Sequence, residues 1–230
     1  MIGRIVLAAL IAGMAAGIIM GGIQHVRTTP LILAAEVYEK TAATAAPETT
    51  TAEHEHAESW EPEDGWQRTL STTLASIITG AGFAGLLAGI SLLTGIAITP
   101  RNGLIWGLCG FLAVTVAPSA GLPPELPGMP AGDLLSRQIW WVATIAATGV
   151  GLYLIAVRRE FIWIAAAVVL IALPHVIGAP QPLTHETTVP AGLAAAFVSN
   201  TVAAAAVFWS LIGEFLGLAL KRFSKEIYAT

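Results

Sequence analysis

The chain has 230 residues, of which 55% are hydrophobic and only 11% are charged, and its formal net charge is −4. A soluble domain usually carries about 25% charged residues, so the composition excludes an ordinary soluble globular protein. The apolar residues form continuous runs close to the ~20 residues that a bilayer-spanning helix needs. Because these runs do not alternate with polar residues, they also exclude a membrane β-barrel.

Six apolar runs predict an all-α fold class, a polytopic membrane helical bundle that forms one integral membrane domain over residues 1–230. The predicted spans are residues 4–24, 70–97, 102–118, 138–157, 161–178 and 191–219. The first run follows Arg4 and in this respect resembles a signal peptide. It is longer than a typical signal-peptide core, and no clean A-x-A site follows it. We therefore expect a retained first span.

The charges predict the orientation, because cytoplasmic loops carry an excess of Lys and Arg. With the N-terminus inside, seven of the eleven basic residues fall in short inner segments, and the even number of spans makes both termini cytoplasmic. Twelve of the fifteen acids and all five histidines then fall outside. An outer face rich in carboxylate and imidazole attracts divalent cations.

Pairs of glycines four residues apart occur in four of the predicted spans. They are Gly13, Gly17 and Gly21 in the first, Gly85 and Gly89 in the second, Gly103 and Gly107 in the third, and Gly213 and Gly217 in the sixth. Small residues at this spacing let helix backbones approach closely. The pattern predicts a tightly packed bundle.

The segments between the spans are long on the predicted outer side. Residues 25–69 form an extracytoplasmic loop, in which the part after Pro30 has the apolar spacing of a short helix on the membrane surface. A low-complexity stretch with acids and histidines follows and is expected to be mobile. The two later outer loops are rich in proline, which restricts φ and favours ordered caps.

Several motifs resemble those of the CbtA family of probable cobalt transporter subunits. They are TPLILAAEVYE (29–39), EDGWQRT (63–69), GLIWGLCGF (103–111), APSAGLPPELPG (117–128), RQIWW (137–141), LPHVIGAP (173–180) and FW (208–209). The resemblance implies a membrane subunit for cobalt uptake, and a small single-span CbtB-like partner with a histidine-rich terminus. Five spans are usual in that family, so the first or the shorter third of the six predicted spans is in question.

Two histidines lie in the polar segment EHEHAE. His54 and His56 are two residues apart, and in an extended segment both side chains point the same way. Glu53, Glu55 and Glu58 add carboxylates, and this ligand set suits Co²⁺, Ni²⁺ and Zn²⁺ without choosing among them. Two interpretations stay open, a weak metal-collecting segment and a solvated acidic tether.

His175 follows Pro174 inside the fifth predicted span. An ionisable residue within a span is a functional candidate, and Pro174 removes the hydrogen bond to the carbonyl of Leu170. We therefore place the transport role on His175. The alternative is a structural histidine that bonds a backbone carbonyl.

The remaining candidates lie in the predicted outer loops, at the outer end of the first span or within the last span. The metal candidates are His25, His185, Glu36 and Glu39, and the pathway candidates are Asn200 and Glu214. Glu36 and Glu39 share one face if their segment is helical. For each candidate a structural interpretation stays open, such as an interfacial polar residue, a helix clamp at Asn200, or a snorkelling carboxylate at Glu214.

The resemblance, together with the one-sided placement of the histidines, implies a membrane subunit of a divalent-metal (cobalt) uptake transporter in a bacterial inner membrane. The sequence contains no nucleotide-binding loop, no nucleophile–base arrangement and no CxxC motif, so we expect neither an enzyme nor a bound cofactor. The expected cargo is Co²⁺ or Ni²⁺. The expected partners are the CbtB-like subunit and membrane lipid, and no nucleic acid is expected. Whether the chain forms a homo-oligomer stays open. The alternative function is a non-transporting scaffold that assembles another membrane complex.

Overall fold

A computed structural model of the chain describes residues 2–45, 62, 64–158 and 160–225, and most of these residues are helical. The helices are α1 (Ile2–Arg27), α2 (Thr29–Ala45), α3 (Trp66–Thr94), α4 (Gly103–Phe111), α5 (Ala117–Ser119), α6 (Leu134–Val157), α7 (Phe161–Ile177) and α8 (Ala191–Lys225). All six predicted spans are therefore helical.

Four helices are long and apolar enough to cross a membrane, namely α1, α3, α6 and most of α8. The two other predicted spans are shorter apolar helices, Gly103–Ser119 and Phe161–Ile177. The first of these consists of α4, a π-helical turn at Leu112–Val116 and α5. At about 1.5 Å per residue, such helices span about 25 Å, near the lower limit for the hydrocarbon core. Six spans therefore remain a prediction.

The core is built on α1, which packs between α3 and α8. Apart from Met20, its buried face consists of small residues, including Ala8, Ala12 and Ala16, so the neighbouring helices come close. In the same core, Phe83 of α3 stacks on Trp209 of α8 with ring centroids 4.5 Å apart. Many large side chains of the apolar helices are exposed, as expected for surfaces that face lipid.

The glycine pairs differ in what they contact. A Cβ at Gly13 or Gly17 would meet the backbone of α3, and one at Gly213 would meet Gly103 and Gly107 of α4. These close approaches confirm the predicted packing role. The prediction was wrong for Gly85 and Gly89, where an added Cβ meets nothing within 4 Å. The buried side of α3 runs through Gly80 and Ala84 instead.

Helix α2 extends further than the predicted short helix and packs on protein. Its Ala35 is fully buried in a second apolar cluster with Leu126 and Val189, from the proline-rich loops before α6 and α8, and with Phe197 of α8. The Thr187 hydroxyl donates to the Gly128 carbonyl at 3.1 Å, which joins these two loops. These two loops and α2 thus form one ordered cap over an end of the bundle.

The two ends of the bundle differ in charge. The capped end carries the described histidines and most described acids, and it includes the C-terminus of α1 and the N-termini of α3, α6 and α8. At the opposite end, Arg4, Arg101 and Lys221 line one cavity. The helices therefore separate the charges as the sequence predicted, whereas the side of the membrane on which each end lies stays a prediction.

Candidate metal-handling site

His175 lies at the capped end, in the last turn of α7. Its ring is half-buried and makes an edge-on contact with Trp140 of α6, with centroids 5.7 Å apart. The Trp140 indole N–H donates to the Pro174 carbonyl at 3.0 Å, and the Gly178 N–H donates to the same carbonyl at 3.1 Å. Trp140 therefore fixes both the end of α7 and the histidine that follows its proline.

His25 and His185 occupy the same end but different surroundings. The exposed His25 has its Nδ1 3.0 Å from the hydroxyl of Thr69, so it joins the end of α1 to the start of α3. Gln24, the residue before His25, makes a second contact between these helices, because the Ser76 hydroxyl donates to its amide oxygen at 2.7 Å. His185 is exposed in the loop before α8. Both imidazoles are therefore accessible to a solvated cation.

The two predicted carboxylates of α2 are not equivalent. The Arg68 guanidinium donates to the Glu36 carboxylate at 2.7 Å, and both side chains are only 20% exposed. Arg68 also contacts the more exposed Asp64 at 3.0 Å. Glu39 is exposed and lies beside Gly128 of the cap. Glu36 thus fastens α2 to α3, while the Glu39 carboxylate is accessible to solvent.

Two further carboxylates at this end are held by neighbouring groups. The Arg137 guanidinium donates to Glu125 at 2.7 Å, which ties the first turn of α6 to the cap. Asp133 caps α6, accepting from the hydroxyl and the backbone N–H of Ser136 at 2.7 and 2.8 Å. These two hydrogen bonds lower the pKa of Asp133, so this acid is charged at neutral pH.

The other predicted metal ligands, His54 and His56, lie outside the described residues. Within the described part of the chain, no three His, Cys, Asp or Glu side chains form a group able to hold a metal ion. The candidates at the capped end are therefore single ligands spread over one surface. A closed coordination sphere would need further ligands.

The pathway candidates lie on α8. The Asn200 amide nitrogen donates to the Ala196 carbonyl at 2.8 Å, so this donor bonds within its own helix. Glu214 is half-buried, and its backbone lies beside Gly103 at the N-terminus of α4. Neither an ion pair nor a hydrogen bond engages its carboxylate among the described residues. The positive end of the α4 dipole favours a negative charge here.

His175 and Glu214 lie in different parts of the bundle. Helix α7 packs against α6, whereas α8 packs against α1, α3 and α4. The structure therefore does not bring the two residues together. The elements between them are α6 and the helix formed by α4, the π-helical turn and α5.

Sequence reasoning missed the residues that hold the candidates in place, Arg68, Thr69 and Trp140. Each lies in a short motif, EDGWQRT or RQIWW, that carries the family resemblance but gives these side chains no role. Their partners lie 32 or more residues away along the chain. Only the folded arrangement of the helices reveals these contacts.

Four helices long and apolar enough to cross a membrane indicate a polytopic helical membrane protein, and its described imidazoles lie at one end of the bundle. A family model described as "Probable cobalt transporter subunit (CbtA)" matches residues 2–221. The chain therefore belongs to the CbtA family. Neither a curated protein nor a solved structure matches the chain significantly.

Proposed function

We propose that the chain is the membrane subunit of a bacterial inner-membrane importer of divalent metal, with Co²⁺ as its cargo and Ni²⁺ as the nearest competitor. The family supports cobalt transport. The proposed direction of transport rests on one observation. The described histidines, His25, His175 and His185, lie at the end opposite the basic cavity. By the positive-inside tendency, the histidine-bearing end faces outward.

Metal is first captured weakly at the capped end. The segment with His54 and His56 and the accessible ligands His25, His185 and Glu39 raise its local concentration there. His175 is the next ligand, since Trp140 holds it at a defined place in the last turn of α7. Glu214 acts near the opposite end, with Asn200 further back on the same helix. Inward movement of a divalent cation is favoured by about 4–5 kcal/mol per 100 mV of membrane potential.

A partner completes the path. No described group of three ligating side chains surrounds His175, and His175 and Glu214 belong to different helix packings. The family description as a subunit implies a complex. We assign the missing ligands to a small single-span CbtB-like subunit, whose histidine-rich terminus supplies the same ligand type.

The test is uptake of radioactive cobalt into cells that express the chain with its small subunit. We expect His175→Ala to raise the half-saturating cobalt concentration, because a ligand on the path is lost. Neutralising the acids and histidines of residues 53–58 should reduce uptake only at low cobalt. Val176→Ala is the matched control, since its exposed side chain lies next to His175 on α7.

Expression of each variant is measured by immunoblot. Normal uptake by both His175→Ala and the 53–58 variant at normal expression would remove the proposed path. Titration of Co²⁺ into the purified complex addresses binding directly, and absence of binding would favour the scaffold interpretation.

A further inference from the structure

The end of the bundle opposite the histidines carries a cavity of about 720 Å³. Three cationic side chains from three separate elements line it: Arg4 of α1, Arg101 of the α3–α4 connection and Lys221 of α8. No acidic side chain is among the described residues that line it. The cavity is therefore positively charged on several sides.

The remaining lining is largely apolar. Ile5, Leu220 and Phe223 line the cavity and also pack against the main core. Ile98, another lining residue, is 5% exposed and belongs to that core. A ligand that fits must therefore combine an anionic group with a hydrocarbon part.

The position of the cavity identifies the source of such a ligand. It lies where the apolar helices α1 and α8 reach the end of the bundle, and the neighbouring Ile2 and Val6 are 71% and 51% exposed. Exposed aliphatic side chains beside cations are typical of a protein surface at the lipid headgroup level. Basic pockets between membrane helices bind anionic lipid headgroups there.

We propose that this cavity binds an anionic phospholipid. Arg4, Arg101 and Lys221 contact the phosphate, and the apolar lining contacts the first carbons of the acyl chains. Because the three cations come from α1, the α3–α4 connection and α8, the bound lipid joins elements that are distant in sequence. The site is separate from the histidine-bearing end and does not depend on cobalt transport.

The experiment measures lipid retained by the purified full-length chain in neutral detergent after incubation with phosphatidylglycerol, phosphatidylcholine or an equimolar mixture. Bound lipid is quantified by mass spectrometry. The wild type should retain phosphatidylglycerol preferentially, and added salt should weaken this preference. Arg4→Gln combined with Arg101→Gln should weaken retention on the order of tenfold or more, since each basic residue near a lipid surface contributes about 1 kcal/mol.

The matched control is Arg158→Gln combined with Arg222→Gln, which removes the same charge from the same end without touching the cavity lining. It should retain phosphatidylglycerol like the wild type. Equal losses in both double variants, or no preference of the wild type for phosphatidylglycerol, would overturn the proposal. Glycerol phosphate and inorganic phosphate are tested as competitors, and binding of free phosphate without lipid would assign the site to a soluble anion instead. The wild-type comparison decides the question even if the double variants fold poorly.

Discussion

At the scale of single residues, burial determines how much each ion pair at the capped end contributes. Arg68 contacts two acids, Glu36 at 20% and Asp64 at 66% side-chain exposure. We expect Glu36→Gln to lower the free energy of unfolding by about 1–2 kcal/mol, because a largely buried charged hydrogen bond is lost. Asp64→Asn should cost under about 0.5 kcal/mol, as exposed pairs usually do. Denaturant titration in mixed micelles measures both changes.

The two variants share a partner and a chemical change, so each serves as the other's control. Equal losses would mean that burial of the Glu36 pair adds nothing to its strength. A double variant, Glu36→Gln with Arg68→Gln, should lose less than the sum of the single losses, because the two side chains interact directly.

The sequence could predict which residues have ligating chemistry at this scale, but not what holds them. An imidazole after a proline in an apolar run identifies His175 locally. Its contact with Trp140 depends on how α6 and α7 pack, since the hydrogen-bonded Trp140 and Pro174 are 34 residues apart. The same limitation applies to Glu36, because the sequence does not show that its carboxylate pairs with Arg68.

At the scale of helices, glycines with the same spacing differ in how much a substitution by alanine should destabilise the protein. A Cβ at Gly213 would meet backbone atoms of Gly103 and Gly107, whereas one at Gly85 meets nothing within 4 Å. We expect Gly213→Ala to destabilise the purified chain by about 1–3 kcal/mol, because α4 and α8 must separate. Gly85→Ala should be neutral or stabilising by up to about 1 kcal/mol, because alanine is the better helix former. Thermal unfolding in detergent measures both, and equal losses would contradict the α4–α8 contact.

The sequence predicts where the helices lie along the chain more reliably than it predicts what each helix face contacts. Continuous apolar runs identify all six apolar helices, because backbone groups in lipid must be satisfied within the helix. The same pattern cannot say that Gly80 rather than Gly85 faces α1, since lipid and protein are similarly apolar environments. For α2, the apolar spacing predicted a helix, but its burial against Leu126 and Val189 required the positions of two distant loops.

At the scale of the whole molecule, the separation of charge between the two ends predicts the orientation. Glu186 is exposed in the cap, and Glu160 is exposed in the α6–α7 connection at the basic end. In a Cys109→Ser background, we expect an impermeant maleimide to label Glu186→Cys in intact cells and Glu160→Cys only after permeabilisation, because cytoplasmic segments carry the excess of Lys and Arg. The two substitutions remove the same charge, so a difference in labelling reports the side of the membrane. Labelling of Glu160→Cys alone in intact cells would mean that the bundle has the opposite orientation in the membrane. Metal would then meet the cavity-bearing end first and reach the histidines last, which is the reverse of the proposed import path.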